Sequence, residues 1–106
     1  MFAFLKKDDS KVINVNDMDK LIGNVEIIDI REPYEFRSGS LRTAKNIPMG
    51  TLSANPEKYM AKDKTYYIMC QSGGRSGMLT RILAKQGFSV INVSGGMGAY
   101  VGTKKN

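Results

Sequence analysis

The feature that most constrains the fold is an alternation of apolar β-branched runs with a helical pattern between residues 65 and 93. The runs TYYIM at 65–69 and FSVINV at 88–93 have the composition of buried strands. Between them, four apolar residues fall on one helical face, namely Met78, Leu79, Ile82 and Leu83. Two strands joined by a helix form a βαβ unit, in which the strands lie parallel. The sequence therefore predicts an α/β domain with a mainly parallel sheet and helices on both faces.

The rest of the chain adds shorter elements of the same kinds. Helices are predicted at INVNDMDKLIG (13–23, with Asn14 as N-cap), REPYEF (31–36) and SANPEKYM (53–60), and strands at VEIIDI (25–30) and AKNIP (44–48). At 106 residues the whole chain is expected to be one domain. Its ends, 1–11 and 102–106, are expected to be flexible.

The chain contains one cysteine and no histidine, which excludes several kinds of chemistry. There can be no internal disulfide, no Cys–His pair, no Ser–His–Asp triad and no histidine-bound metal. We therefore expect neither a metal nor a cofactor. No apolar run has the length of a membrane span. A cytoplasmic protein without a membrane partner is the default expectation.

The net charge of +6 is confined to one half of the chain. Residues 1–63 contain ten basic and ten acidic residues, and no acidic residue follows Asp63. A positive field in the second half favours anionic substrates or an acidic partner, although a solvated basic face explains it equally well. The bases are scattered and lack interleaved aromatic residues, so a nucleic-acid partner is not expected. We expect a monomer.

Cys70 directly follows the predicted strand 65–69, where parallel sheets bind their ligands. Gly73 and Gly74 can adopt positive φ, so the backbone N–H groups of residues 71–75 can form an anion-binding nest. The start of the next helix and the guanidinium of Arg75 add positive charge. Together they would lower the pKa of the thiol and make Cys70 a nucleophile beneath an anion-binding loop. An inert, buried cysteine is the alternative.

Four segments resemble the signatures of single-domain rhodaneses, and they occur in that family's order. They are IIDIREPYEF (27–36), GSLRTAKNIP (39–48), CQSGGRS (70–76) and GFSVINVSGGMGAY (87–100). The chain departs from the family pattern at Ser40, where a histidine is usual, at Thr43, where a glycine is common, and at Tyr100, where a tryptophan is usual. The resemblance implies a rhodanese-like three-layer sandwich with a central parallel sheet.

The resemblance also implies a sulfurtransferase. Cys70 would attack the sulfane sulfur of an anionic donor such as thiosulfate or a persulfide. The sulfur would then pass from the Cys70 persulfide to cyanide or to a thiol, including a thiol on a protein. Two alternatives stay open: a persulfide carrier that works only with a protein partner, and a cysteine phosphatase or arsenate reductase. Related phosphatases have five residues between the cysteine and the arginine, whereas this chain has four.

Each remaining site residue has an expected role. Gln71 and Ser72 would line the mouth of the loop, and Ser76 would cap the following helix. Asp29 and Arg31 match the first signature. We expect them to be supporting residues that brace the loop or pair with Glu32 or Glu35.

Overall fold

The computed structural model describes residues 11–106, which form a sheet of five parallel strands. The strands are β1 (Lys11–Asn14), β2 (Glu26–Asp29), β3 (Lys45–Asn46), β4 (Thr65–Met69) and β5 (Ser89–Ser94), in the order β1-β5-β4-β2-β3. The helices are α1 (Pro33–Arg37), α2 (Met49–Ala54), α3 (Pro56–Tyr59), α4 (Gly74–Lys85) and α5 (Gly96–Ala99), and a 3-10 turn spans Val15–Asp17. The parallel sheet predicted from the sequence is confirmed.

The core has two layers because successive side chains of a strand point to opposite faces of the sheet. At the end of β4, Ile68 and Cys70 face Leu79 and Leu83 of α4. Met69 faces the other side, where it packs in a second cluster that includes Val15, Met18, Leu41, Val93 and Tyr100. Short apolar strands buried on both faces therefore produce the predicted three-layer α/β sandwich.

The prediction of a first helix over 13–23 is wrong. Lys11–Asn14 is an edge strand that pairs in parallel with β5, and only Val15–Asp17 is helical, as a 3-10 turn. Asn14 does cap that turn, since its side chain accepts a hydrogen bond from the N–H of Asn16 at 2.8 Å. The helical spacing of the apolar residues was misleading because strand pairing with a distant segment outweighs local propensity.

The segment predicted as one short helix contains the end of α2 and all of α3. The two are separated at Asn55, which has φ −151° and ψ 67°. A residue that precedes proline is sterically excluded from the helical region, so Pro56 starts a new helix. The predicted apolar face of α4 is correct for Leu79 and Leu83, which are buried, but wrong for Met78 and Ile82, which are exposed.

The two chain ends expected to be flexible differ in what the structure describes. Residues 1–10 lie outside the described range, and Lys11 belongs to β1. Near the other end, Arg42 N–H donates to the Lys104 carbonyl and Asn106 N–H donates to the Ser40 carbonyl, both at 2.9 Å. The last residues are thus hydrogen-bonded to the segment that follows α1. The flexibility of both ends stays a prediction.

Candidate active site

Cys70 lies at the carboxyl end of β4, in the middle of the sheet, and its side chain is fully buried. The chain turns over Gln71–Gly73 and enters α4 at Gly74. Gly73 has φ +95°, and a Cβ there would stand 3.0 Å from the backbone nitrogen of Gly95. Glycine is therefore required at 73 both for its conformation and for the close approach of two loops. The sequence also suggested a positive φ at Gly74, but this residue has helical backbone angles as the first residue of α4.

Three groups contact the sulfur of Cys70. The N–H of Gly73 lies at 3.1 Å, and the N–H and the hydroxyl of Ser76 both lie at 3.4 Å. Burial raises the pKa of the thiol, but hydrogen bonds from Ser76, Gly73 and the N–H of Ser72 outweigh it and leave the pKa below its ordinary value. The thiol is thus buried and also activated, which is unlike a structural cysteine in an apolar core.

The hydroxyl of Ser76 connects the sulfur to Asn92. No side chain caps α4, whose N-cap residue is Gly73, so the expectation that Ser76 caps the helix is wrong. The Ser76 hydroxyl instead donates to Oδ1 of Asn92 and lies 3.4 Å from the Cys70 sulfur. Sequence reasoning missed Asn92. Its signal was a polar residue in the run VINV, on the same face of β5 as Val90 and near the carboxyl end of the strand.

The short helix α5 holds the backbone of the loop that follows Cys70. Met97 N–H donates to the Cys70 carbonyl at 3.1 Å, and Gly98 N–H donates to the Gln71 carbonyl at 2.8 Å. A Cβ at Gly96 would collide with the Cys70 carbonyl oxygen. With these carbonyls engaged by α5, the N–H groups of the loop are left to face the sulfur.

Arg75 forms an ion pair that the sequence did not predict. Its two terminal nitrogens donate to the two carboxylate oxygens of Glu35 on α1, each at 3.2 Å. Glu35 raises the pKa of Arg75, with smaller contributions from the charges of Cys70 and Asp29. The same hydrogen bonds lower the pKa of Glu35. Arg75 is therefore positioned by α1 beside the loop, within the electrostatic influence of the thiolate.

Asp29 and Arg31 form a buried pair under the loop. The Asp29 carboxylate accepts bonds from the Arg31 guanidinium at 2.8–3.1 Å and from the Ser40 hydroxyl at 2.7 Å. Arg31 also donates to the Gly39 carbonyl at 2.7 Å and to Oε1 of Gln71 at 3.1 Å. The contact with Gln71 is the bracing of the loop that the sequence predicted. The suggested pairing with Glu32 or Glu35 is wrong, since Arg31 pairs with Asp29.

Two of the three departures from the family pattern make local hydrogen bonds, and nothing in the structure explains the third. Ser40, in place of histidine, completes the hydrogen bonds of Asp29. Tyr100, in place of tryptophan, donates to Asp19 at 2.6 Å and accepts from the N–H of Lys104 at 2.8 Å. Thr43, in place of glycine, has φ +70°, which is unfavourable for a β-branched residue. None of the three contacts the sulfur of Cys70.

Two further features bear on the class of site. Within residues 11–106, no group of three or more acidic, cysteine or histidine side chains is arranged to hold a metal ion. Among the helices of that same range, none is both long enough and apolar enough to cross a bilayer.

Comparison with known proteins identifies relatives over most of the chain. The family model for the Rhodanese-like domain matches residues 14–103. "Putative sulfurtransferase YtwF" of Bacillus subtilis is 42% identical over 81 residues, an alignment that covers 74% of this chain and 76% of that protein. "Sulfurtransferase" of Allochromatium vinosum is 33% identical over 78 residues, which covers 73% of this chain and 72% of that protein.

A solved structure shows the same architecture. The crystal structure of a rhodanese-like domain protein from Staphylococcus aureus superposes with a TM-score of 0.80 at 31% identity. The alignment covers 91% of this chain and 96% of that one. The fold therefore agrees with these relatives over nearly the whole described range.

Proposed function

Because this chain belongs to the Rhodanese-like domain family, we propose that it transfers a sulfane sulfur through a persulfide on Cys70. Sulfur transfer in general is supported by the names of its relatives. The observation that carries the specific proposal is the environment of the Cys70 sulfur. It is buried, has a lowered pKa, and receives hydrogen bonds from Gly73 and Ser76. Groups that stabilise a thiolate can equally stabilise the terminal sulfur of a persulfide.

In the first half of the reaction, the Cys70 thiolate attacks the outer sulfur of thiosulfate. A new S–S bond forms to Cys70, the S–S bond of thiosulfate breaks, and its electron pair leaves with sulfite. In the second half, cyanide or an acceptor thiolate attacks the terminal sulfur of the persulfide, and Cys70 departs as a thiolate. Neither half needs a second cysteine or a histidine, consistent with a chain that has one cysteine and no histidine.

The residues of the loop have different roles in the proposed reaction. The N–H groups of Ser72, Gly73 and Ser76 stabilise negative charge on the sulfur. Arg75, at the edge of the loop, attracts the anionic donor. Its guanidinium releases the Glu35 carboxylate and then donates hydrogen bonds to the oxygens of the donor. Gln71 lines the mouth, held by Arg31. Four residues between Cys70 and Arg75 enclose less space than the five of related phosphatases, which favours a sulfur over a phosphoryl group.

The direct test is intact-mass analysis after treatment with thiosulfate. We expect the mass of the wild-type protein to rise by about 32 Da, the mass of one sulfur, and cyanide to remove the addition. Cys70→Ser should show neither change. Persulfidation that survives this substitution would identify a different nucleophile. Hydrolysis of aryl phosphates faster than sulfur transfer would replace the proposal with the phosphatase alternative.

A further inference from the structure

The outer face of α4 exposes two apolar and two basic side chains, which we call the α4 stripe: Met78, Arg81, Ile82 and Lys85. Met78 and Ile82 are 48% and 44% exposed, although the opposite face of the same helix is fully buried at Leu79 and Leu83. Offsets of three, four and seven residues place the members of the stripe on one helical face. These two apolar side chains, exposed side by side, form an apolar surface that a bound partner would bury.

The charges of the stripe are all positive, and neither forms an ion pair with another residue of the described range 11–106. No acidic residue occurs between Gly74 and Lys85. Arg81 and Lys85 are four residues apart, so their charges repel each other along the helix. Within residues 11–106, the ion pairs involve Asp29 with Arg31 and Glu35 with Arg75, and no carboxylate lies within 4.0 Å of Arg81 or Lys85. A negatively charged partner would relieve this repulsion.

The stripe lies next to the reactive sulfur. Helix α4 begins at Gly74, immediately after the loop that carries Cys70. At 1.5 Å per residue, the stripe from Met78 to Lys85 is about 10 Å long and starts within about two turns of the loop. A segment bound along it can therefore reach the mouth of the loop with one end.

We propose that the α4 stripe docks an acidic segment of the protein that exchanges sulfur with Cys70. Carboxylates of that segment would lie against Arg81 and Lys85, and an apolar side chain would pack between Met78 and Ile82. Two apolar side chains among the bases fit an amphipathic protein segment better than a nucleic-acid backbone. The chemistry of the exchange rests on the proposed function. The partner thiolate attacks the terminal sulfur of the Cys70 persulfide, that S–S bond breaks, and its electron pair stays on Cys70.

Two synthetic peptides test the proposal. Each contains one cysteine and one leucine, and they differ only in carrying glutamates or glutamines. Sulfur transfer from the persulfidated protein to each peptide is followed at low and at high salt. We expect the glutamate peptide to react at least tenfold faster at low salt, an advantage that shrinks as salt screens the charges. The double variant Arg81→Gln/Lys85→Gln should abolish the advantage. Met78→Ser/Ile82→Ser should slow both peptides.

The matched control is Lys11→Gln/Lys64→Gln. It removes the same charge near the amino ends of β1 and β4. These strand ends lie at the end of the sheet opposite to Cys70, which follows the carboxyl end of β4. All the variants should form the Cys70 persulfide with thiosulfate at a rate within about twofold of wild type. If the control slows transfer to the glutamate peptide as much as Arg81→Gln/Lys85→Gln does, only net charge matters and the docking proposal is overturned.

A binding measurement separates this proposal from the proposed function. Fluorescently labelled peptides with serine in place of cysteine are titrated with Cys70→Ser protein, so that no sulfur chemistry can occur. Stronger binding of the glutamate peptide, lost in Arg81→Gln/Lys85→Gln but kept in Lys11→Gln/Lys64→Gln, supports docking even if no persulfide ever forms. Equal binding of both peptides overturns docking even if the persulfide forms.

Discussion

The sulfur of Cys70 is held mainly by backbone N–H groups, and this limits which single residues can change its reactivity. Gly73 contributes only an N–H group, and Ser72 likewise contributes its N–H. Ser76 contributes an N–H and also a hydroxyl, whose single hydrogen the sulfur shares with Oδ1 of Asn92. Substituting a side chain in this loop therefore affects the pKa of the thiol directly at one position, Ser76.

We predict that Ser76→Ala slows alkylation of Cys70 by iodoacetamide at neutral pH by roughly fivefold, the effect of losing one hydrogen bond of about 1 kcal/mol, because without the hydroxyl the pKa of the thiol rises. The alkylation rate follows the fraction of thiolate, so it rises with pH and levels off above the pKa. Because the pKa of Cys70 is lowered in the wild type, its rate should level off at a lower pH than that of an ordinary thiol. In Ser76→Ala the same curve should shift to higher pH. Ser72→Ala is the control, because its N–H is retained, and its curve should overlay that of the wild type. Coincident curves for Ser76→Ala and wild type would contradict the role of the hydroxyl.

Thr43 offers a stabilising substitution. A β-branched residue at φ +70° costs on the order of 1–3 kcal/mol of stability. Glycine would remove this strain, but part of the gain would be offset because glycine gives the unfolded chain more conformational freedom. We expect Thr43→Gly to increase the free energy of unfolding by about 1 kcal/mol, measured by urea denaturation. Thr51→Gly, inside α2, should do the opposite, since glycine disfavours a helix. A destabilising Thr43→Gly would show that the threonine is not strained.

At the scale of elements, α1 and α4 are joined beside the candidate active site by Glu35 and Arg75. The pair is partly exposed, with 20% of the Glu35 side chain and 40% of the Arg75 side chain accessible, so its contribution to stability is at most about 1 kcal/mol. Under the proposed function, an anionic donor competes with Glu35 for the same guanidinium, so we expect the pair to affect substrate binding more than stability.

We predict that Glu35→Gln lowers the KM for thiosulfate by about two- to fivefold, the factor that corresponds to at most 1 kcal/mol of competing ion pair. Glutamine keeps an oxygen that can accept from the N–H of Glu32, so α1 should remain capped. Steady-state kinetics with cyanide as acceptor give the KM. Arg75→Ala should raise the KM more than Arg75→Lys, which keeps the charge but loses the planar fork. An unchanged KM in Glu35→Gln would mean that Arg75 does not contact the donor.

The sequence predicted the central strands and the edge strand β3 but missed the edge strand β1, for physical reasons. Strands β2, β4 and β5 are buried on both faces, so their composition alone identifies them. Strand β1 is an edge strand whose pairing with β5 leaves no local trace. The position of Cys70 followed from a strand end and a glycine-rich turn, and its chemistry stays a prediction. The ion pair between Arg75 and Glu35, and the contact of Ser76 with Asn92, join residues far apart in sequence and required the structure.

At the scale of the whole molecule, the buried pair of Asp29 and Arg31 connects three parts of the chain. It joins the end of β2, the segment at Gly39 and Ser40, and the loop after Cys70 at Gln71. Because both charges are buried, removal of one leaves the other without compensation, at a cost of about 3–5 kcal/mol. That is a large share of the 5–15 kcal/mol typical for the stability of a whole domain.

We therefore predict that Asp29→Asn lowers the free energy of unfolding by about 3 kcal/mol or more, measured by urea denaturation. Glu35→Gln serves as the matched comparison, since it also removes one carboxylate from an arginine pair but at a partly exposed position, and it should cost less than about 1 kcal/mol. Equal losses in the two variants would show that burial does not decide the importance of the pair.

The parallel pairing of β1 with β5 has a consequence for the order of folding. Lys11 is in register with Ile91, roughly 80 residues further along the chain, whereas β4 and β5 are joined by a single helix. Closing the longer loop costs more entropy, so β1 should join the sheet after β2, β4 and β5 have assembled. As the last strand to join and an edge strand, it should also detach first. In native-state hydrogen exchange, the amides of Val12 and Ile13 should therefore exchange well before those of Ile68 in the central strand.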